Sequence, residues 1–231
     1  MSRWLWLRQP IDRIAAALLL VVASPVLAVL AVLVRRDGGP AIVKLPRAGR
    51  DGRVFLMWKV RTMHAQRADG SSSGPTITAG GADPRVTKLG RHLRRMRLDE
   101  LPNLVNVVSG EMAIIGPRPE TPDLVDEGDP RWRAVLLARP GIVGPTQLLV
   151  HDWEDATLRT GDPVELYRRV VLPAKLAIDA WYVRGASARL DLAIAVAIVR
   201  SFIGGARPEH LARRVRSEVV FEGDRPPVLD G

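Results

Sequence analysis

The chain has 231 residues, enough for one domain of ordinary size and an appendage. Its 34 Lys+Arg against 25 Asp+Glu leave a net charge of +9, which calls for an anionic partner: a phosphorylated substrate, an anionic lipid surface or nucleic acid. A hydrophobic share of 47% excludes wholesale disorder, and the absence of Cys excludes disulfide staples, thiolate zinc sites and cysteine nucleophiles.

Residues 14–34 carry no charge, and as a straight helix they measure about 31 Å, enough to cross a hydrocarbon core. Trp4 and Trp6 stand just before, suited to the headgroup layer. The stretch is too long for a signal-peptide core, and Arg35-Arg36 follows it directly. Ser24-Pro25 falls near the middle. Proline removes a backbone donor there, and the serine hydroxyl can satisfy a freed carbonyl. Arg3, Arg8 and Arg13 lie on one side and Arg35 and Arg36 on the other, whereas a spanning helix biases its cations to one side. The pattern suits a helix that enters, breaks at Ser24 and Pro25 and returns; a kinked single pass is the alternative.

Residues 41–63 read as a β-hairpin around the turn 47–53, with Lys59 and Arg61 on one strand face and Leu56, Trp58 and Val60 on the other. Two cations on a strand face suit an anion site, although exposed strand charges are the ordinary explanation. Residues 66–82 are Gly- and Ser-rich and read as a loop. Asp83-Pro84 offers an N-cap and N1 proline for a helix to about Leu98 that carries Arg85, Lys88, Arg91, Arg94, Arg95 and Arg97. A solvated surface is the plain explanation of the run Arg91–Arg97; beside a membrane, lipid suits it better than nucleic acid. A second helix starts at Asp99-Glu100 and stops at Gly110. A buried run then leads into Gly116-Pro117-Arg118-Pro119-Glu120, residues 140–145 form a stiff turn, and helices follow over about 163–184 and 187–203. The second of these is either a core helix or one lying along the bilayer interface. Residues 204–231 read as a tail whose last dozen residues are loose.

Asp99 and Glu100 are adjacent carboxylates directly after a cationic helix, whose field favours their ionised forms. About 100° apart around a helix axis, they can serve two tasks, nucleophilic attack and metal ligation. The plain alternative is an N-cap with a dipole-favouring neighbour. Arg118 between two prolines has little entropy left to lose and suits a phosphate; a solvated proline turn explains it equally well. No P-loop and no GxGxxG fingerprint is present.

In order, the Ser24-Pro25 break, GRDGRVFLMWKVRTM (49–63), DPRVTKLGRHLRRMRLDELPNLVNVVSGEMAIIGPRPE (83–120), PGIVG (140–144) with Gln147, and WYVRGASARLDLAIAVAIVRSF (181–202) resemble the bacterial sugar transferase family, the small monotopic phosphoglycosyl transferases. The resemblance covers roughly residues 10–203. It implies a helix-dominated α+β fold: a re-entrant membrane hairpin over 1–36, a short β-hairpin and a catalytic domain over 37–203 with interfacial amphipathic helices, on the cytoplasmic face of a bacterial inner membrane. It also implies transfer of a sugar 1-phosphate from a nucleotide sugar, a UDP-sugar first, to undecaprenyl phosphate with release of UMP. Asp99 is then the nucleophile, Glu100 a ligand of Mg²⁺, and Lys59, Arg61, Arg85, Arg118, Glu120 and Gln147 the substrate-binding set. The chain departs from the family where Pro145-Thr146 precedes Gln147 in place of an aromatic, so the sugar stays open. Two other readings remain: a one-step transfer with a carboxylate as general base, and a non-catalytic basic module anchored to the membrane.

Overall fold

A computed structural model describes residues 2–36, 38–64, 83–202, 208–221 and 226–229; the expected loop over 66–82 lies outside them. In chain order the elements are α1 (Trp4–Leu7), α2 (Gln9–Arg35), β1 (Ile42–Ala48), β2 (Val54–Val60), α3 (Lys88–Arg95), α4 (Asn103–Ser109), β3 (Ala113–Ile115), α5 (Pro130–Val135), β4 (Gly141–Val143), α6 (Pro145–Leu149), α7 (His151–Leu158), α8 (Pro163–Leu166), α9 (Leu172–Gly185), α10 (Ala188–Phe202) and α11 (Glu209–Glu218). Helices dominate, and the sheets are short.

The apolar segment forms α2, one helix that continues through Pro25. Proline at this point leaves the carbonyl of Val21 without its usual donor, and Ser24 Oγ supplies one at 2.8 Å. The hydroxyl thus does what the sequence suggested, and it keeps the helix intact across the proline. Most of α2 is bare: Ile14, Leu18, Val21, Val22, Val29 and Val32 are exposed. Its contacts come from both halves. Ala16 is enclosed with Phe55, Met57, Leu104, Val107 and Met112, while Leu30 and Val34 pack with Val60 and Leu93. The entry is pinned by Arg8, which donates to Tyr182 Oη (2.7 Å), Asp191 Oδ2 (2.5 Å) and the Ile115 carbonyl (2.6 Å).

β1 and β2 pair antiparallel from Ile42 opposite Val60 to Ala48 opposite Val54, as the expected hairpin requires. The faces differ from expectation. Lys59 shares its parity with the buried Phe55 and Met57, and Val54 and Leu56 are exposed. Asn106 closes the free edge of β2: its Oδ1 accepts from the Trp58 amide (3.1 Å) and its Nδ2 donates to the Leu56 carbonyl (2.8 Å). One side chain of α4 therefore acts as a short strand.

The helix expected from Asp83 begins later, at Lys88. Asp83 is taken up by its own turn, where it accepts from the amide and guanidinium of Arg85, and Thr87 provides the cap to the Gly90 amide at 2.8 Å. Gly90 is required here, because a Cβ would lie 2.1 Å from the Thr62 carbonyl oxygen. The helix expected from Asp99 also starts late. Leu98–Glu100 form a 3-10 turn, α4 follows, and Gly110 ends it at φ +85°, the left-handed stop.

β3 and β4 pair in parallel, Ala113 with Gly141 and Ile115 with Val143, which brings the 116–120 loop beside residues 140–144. The expected helices over 163–184 and 187–203 correspond to α8, a π-turn (Tyr167–Val171), α9 and α10. α9 runs through the middle of the core, with Ile178, Ala180 and Tyr182 fully enclosed. The region after 204 is not all tail. α11 buries Leu211 and Val215 in the main core, and Leu229 is fully buried with them.

Candidate active site

The 3-10 turn Leu98–Glu100 presents two carboxylates at the end of β2. Arg97, just before it, has left-handed backbone (φ +54°), and both Asp99 and Glu100 are buried. Lys59 Nζ, the last side chain of the core-facing row of β2, lies 3.0 Å from Glu100 Oε1 and 3.9 Å from Asp99 Oδ2. Arg118 Nη2 reaches the same Glu100 Oε1 at 2.5 Å. Glu100 Oε2 is buried with no hydrogen-bond partner among the described residues.

This environment separates the two carboxylates. Burial alone would raise Glu100, but Arg118 and Lys59 outweigh it and hold the carboxyl well below the usual range. Asp99 goes the other way. Burial raises it, the neighbouring Glu100 charge adds to that, and Lys59 and Arg94 offset only part. The ionised state expected for both is therefore favoured at Glu100, through Arg118 and Lys59 and not through the cationic helix, and is opposed at Asp99, where desolvation is the larger effect. Two adjacent carboxyls pushed apart in this way are equipped for different roles. Lys59 is itself lowered, chiefly by burial.

The proline-braced loop is held from behind by α9. Asp179 Oδ2 accepts from the Arg118 amide at 3.2 Å, and burial pushes its carboxyl up to about 8. One turn earlier on α9, Lys175 Nζ meets Glu120 Oε1 at 3.1 Å and Tyr167 Oη at 2.8 Å, while Tyr167 donates to Glu120 at 2.6 Å. The two ends of the loop thus face opposite ways: Arg118 toward the dyad, Glu120 into the interior.

Of the residues expected to bind substrate, Lys59 and Arg118 meet at the dyad. Glu120 does not, for it belongs to the enclosed Lys175–Tyr167 network. Arg61 does not either. Its guanidinium donates to the carbonyls of Val34 (2.9 Å), Pro40 (2.8 Å) and Gly38, so it closes the C-terminal end of α2. Arg85 forks Asp83 at 2.6 Å. Gln147 donates weakly to the Ile142 carbonyl (3.3 Å) and lines a cavity of about 270 Å³ that Arg97 also borders. Sequence reasoning missed Asn106, a polar residue inside an otherwise apolar helical stretch, which was the available signal. It named Arg8 only as a flanking cation and Arg94 only as part of a cationic surface; Arg94 Nε donates to Thr62 Oγ1 at 2.9 Å and its charge acts on Asp99.

A divalent cation is tested by donor chemistry. No group of three or more His, Cys, Asp or Glu among the described residues forms a metal cage. An orphaned carboxylate oxygen on Glu100 beside the Asp99 carboxylate does fit Mg²⁺, which takes one or two carboxylates and completes its shell with water and substrate phosphate.

A family model described as bacterial sugar transferase matches residues 3–205. The undecaprenyl-phosphate glucose phosphotransferase of Komagataeibacter xylinus is 34% identical over 202 residues, 84% of this chain and 35% of that protein. The UDP-glucose:undecaprenyl-phosphate glucose-1-phosphate transferase of Caulobacter vibrioides is 35% identical over 202 residues, 85% of this chain and 69% of its own length. The undecaprenyl-phosphate galactose phosphotransferase of Salmonella typhimurium is 32% identical over 200 residues, 82% of this chain and 39% of that protein. The chain therefore spans well under half of the Komagataeibacter and Salmonella relatives.

Proposed function

Because the chain belongs to the bacterial sugar transferase family, we propose that it transfers a sugar 1-phosphate from a UDP-sugar to undecaprenyl phosphate. The observation that carries this is the Asp99-Glu100 pair, split in proton affinity and shared by Lys59 and Arg118. An Asp99 carboxylate oxygen attacks the phosphorus that bears the sugar. The bond to the bridging oxygen breaks, and UMP leaves with that oxygen. A phosphate oxygen of undecaprenyl phosphate then attacks the same phosphorus, freeing the Asp99 carboxylate and leaving a lipid diphosphate sugar.

Each protein group has a physical task in this scheme. The raised proton affinity of Asp99 makes its ionised form a better nucleophile than a fully stabilised carboxylate. Lys59, within reach of both carboxylates, neutralises the charge that spreads over the phosphoryl oxygens. Arg118, fixed through its amide by Asp179, is a preset fork for a second phosphate. Glu100 would hold Mg²⁺, which would supply further charge neutralisation at the donor's phosphates.

The acceptor arrives from a bilayer, and α2 supports a monotopic placement. Its first half packs on β2 and α4, its last turn is closed by Arg61, and the face between is bare. A helix of 27 residues that is unbroken at Pro25 and tied at both ends to one folded body suits a shallow placement along the cytoplasmic face of the inner membrane better than a crossing, and it lacks the break that entry and return would need. The exposed Leu192, Val196 and Val199 of α10 suit the same interface.

The test is UMP release by the detergent-purified chain from a panel of UDP-sugars with Mg²⁺ and undecaprenyl phosphate. Release from one donor that is lost in Asp99→Asn supports the reading and names the sugar. No release from any donor by folded protein overturns it. A tag at residue 1 reached only from the periplasm overturns the monotopic placement.

A further inference from the structure

Arg97 is absent from the chemistry derived so far, yet three independent features converge on it. Its backbone is left-handed without being glycine or asparagine, directly before the dyad turn, a conformation that persists only where the surroundings enforce it. Its side chain borders the 270 Å³ cavity, whose other walls include Gln147, Leu148, His151, Asp152, Ile198 and Ser201, so that Arg97 faces one carboxylate across it. Among the described residues, its guanidinium enters no hydrogen bond or ion pair, although Glu100, Asp99 and Arg118 all lie close enough to act on its charge. Lys59 and Arg118 already bind Glu100. Arg94 also acts on the dyad without a carboxylate partner, but its guanidinium is bound to Thr62 Oγ1; Arg97 is the one left without a hydrogen bond among the described residues.

The cavity's shape and walls say what this cation receives. Its volume falls below the range of about 300–1,000 Å³ typical of pockets that enclose a drug-sized ligand. A phosphate head with a short apolar stem suits that size better than a whole nucleotide sugar. One wall is Ile198 of α10, and the same helix exposes Leu192, Val196 and Val199 on its outer side. Arg97 thus joins the dyad turn, which it directly precedes, to a cavity walled on another side by a helix whose outer surface is apolar.

We infer that Arg97 binds the phosphate of the lipid acceptor, with the stem of the lipid lying along Leu148 and Ile198. The inference rests on the transferase reading above and assigns its second substrate a place. Donor and acceptor phosphates then meet different cations, Lys59 and Arg118 for the first and Arg97 for the second. This lets the lipid phosphate approach the phosphorus held on Asp99 without displacing the groups that stabilise it.

The experiment uses the full chain in detergent and two variants. Arg97→Asn removes the cation but tolerates the left-handed backbone, and Ile198→Trp fills the cavity from the opposite wall. Both should raise KM for undecaprenyl phosphate about tenfold or more while KM for the UDP-sugar moves less than about twofold, as loss of a charge-assisted phosphate contact implies. Exchange of labelled UMP into the UDP-sugar without acceptor reports the donor half-reaction alone. If Arg97→Asn abolishes that exchange or raises the donor KM, the cation serves the donor and the inference falls. It also falls if Ile198→Trp leaves the acceptor KM unchanged. Absence of exchange in the unsubstituted chain overturns the two-step scheme, and absence of UMP release even with acceptor overturns the transferase reading itself; both results are distinct from the two above.

Discussion

Two clusters of buried charge lie on either side of one proline-braced loop, and they are built from the same materials. On the outer side Glu100 is gripped by Arg118 and Lys59; on the inner side Glu120 is gripped by Lys175 and Tyr167. In both, burial would raise the carboxyl and its partners pull it down instead. The difference lies in what remains unsatisfied. Glu100 keeps a buried oxygen without a partner, and Asp99 beside it is raised rather than lowered. The inner cluster uses Glu120, Tyr167, Lys175 and Glu154 to satisfy one another. A closed network is scaffold, and a network with spare capacity is a site. Proximity of charges alone does not tell the two apart.

Substitutions sharpen that contrast, beginning with the largest effect. Asp99→Asn should lower UMP release by about 10³-fold or more with little change in melting temperature, since loss of a nucleophile removes a route and not a fold. Lys175→Met should do the opposite. Leaving Glu120 buried without its cation costs about 3–5 kcal/mol, read as a lower melting temperature in detergent, and activity follows the folded fraction. If Lys175→Met were stable yet inactive, the inner cluster would be part of the chemistry and the distinction would collapse. Glu100→Gln belongs between them. It keeps the shape, removes the charge that holds Arg118 and Lys59, and should cut kcat while weakening the response of the rate to added Mg²⁺.

Asp179 links the clusters, and its sign is specific. Its folded carboxyl titrates near 8 against an ordinary value of 3.8, so the stability it confers is full below about pH 4 and declines as pH rises through 8. Asp179→Asn retains an acceptor for the Arg118 amide but has no proton to lose. Its melting temperature should therefore vary less than that of the unsubstituted chain between pH 5 and pH 8.5 (about the accessible range). An identical pH profile would mean that Asp179 is not enclosed as described. The smallest effect is expected at Ser24→Ala, which removes the donor to Val21 and should cost about 1 kcal/mol.

Local chemistry made much of this legible before any coordinates. The hairpin over 41–63, the glycine stop at Gly110 and the Ser24 hydroxyl at the proline follow from residue type and spacing, whereas the meeting of Asp99, Glu100, Lys59 and Arg118 followed from the family resemblance. What escaped was decided at long range. Arg61 and Lys59 are two residues apart and looked equivalent, but Arg61 lies past the strand end, where the α2 carbonyls need a donor. Glu120 turned inward because α9 brings Lys175 to it from 55 positions along the chain (175 against 120). Asp99 rose because its burial depends on how β2, α3 and the 116–120 loop close around it. None of these partners is near in sequence, so no local pattern announces them.

The central claim is that Asp99 carries the phospho-sugar between two separate transfers. Intact-mass measurement of the protein incubated with its UDP-sugar and Mg²⁺, without undecaprenyl phosphate, tests it most directly. The account predicts an adduct equal to one sugar phosphate, matched by released UMP, discharged when the lipid acceptor is added and absent in Asp99→Asn. UMP that forms only when acceptor is present, with no adduct at any time, would contradict it and establish a one-step transfer.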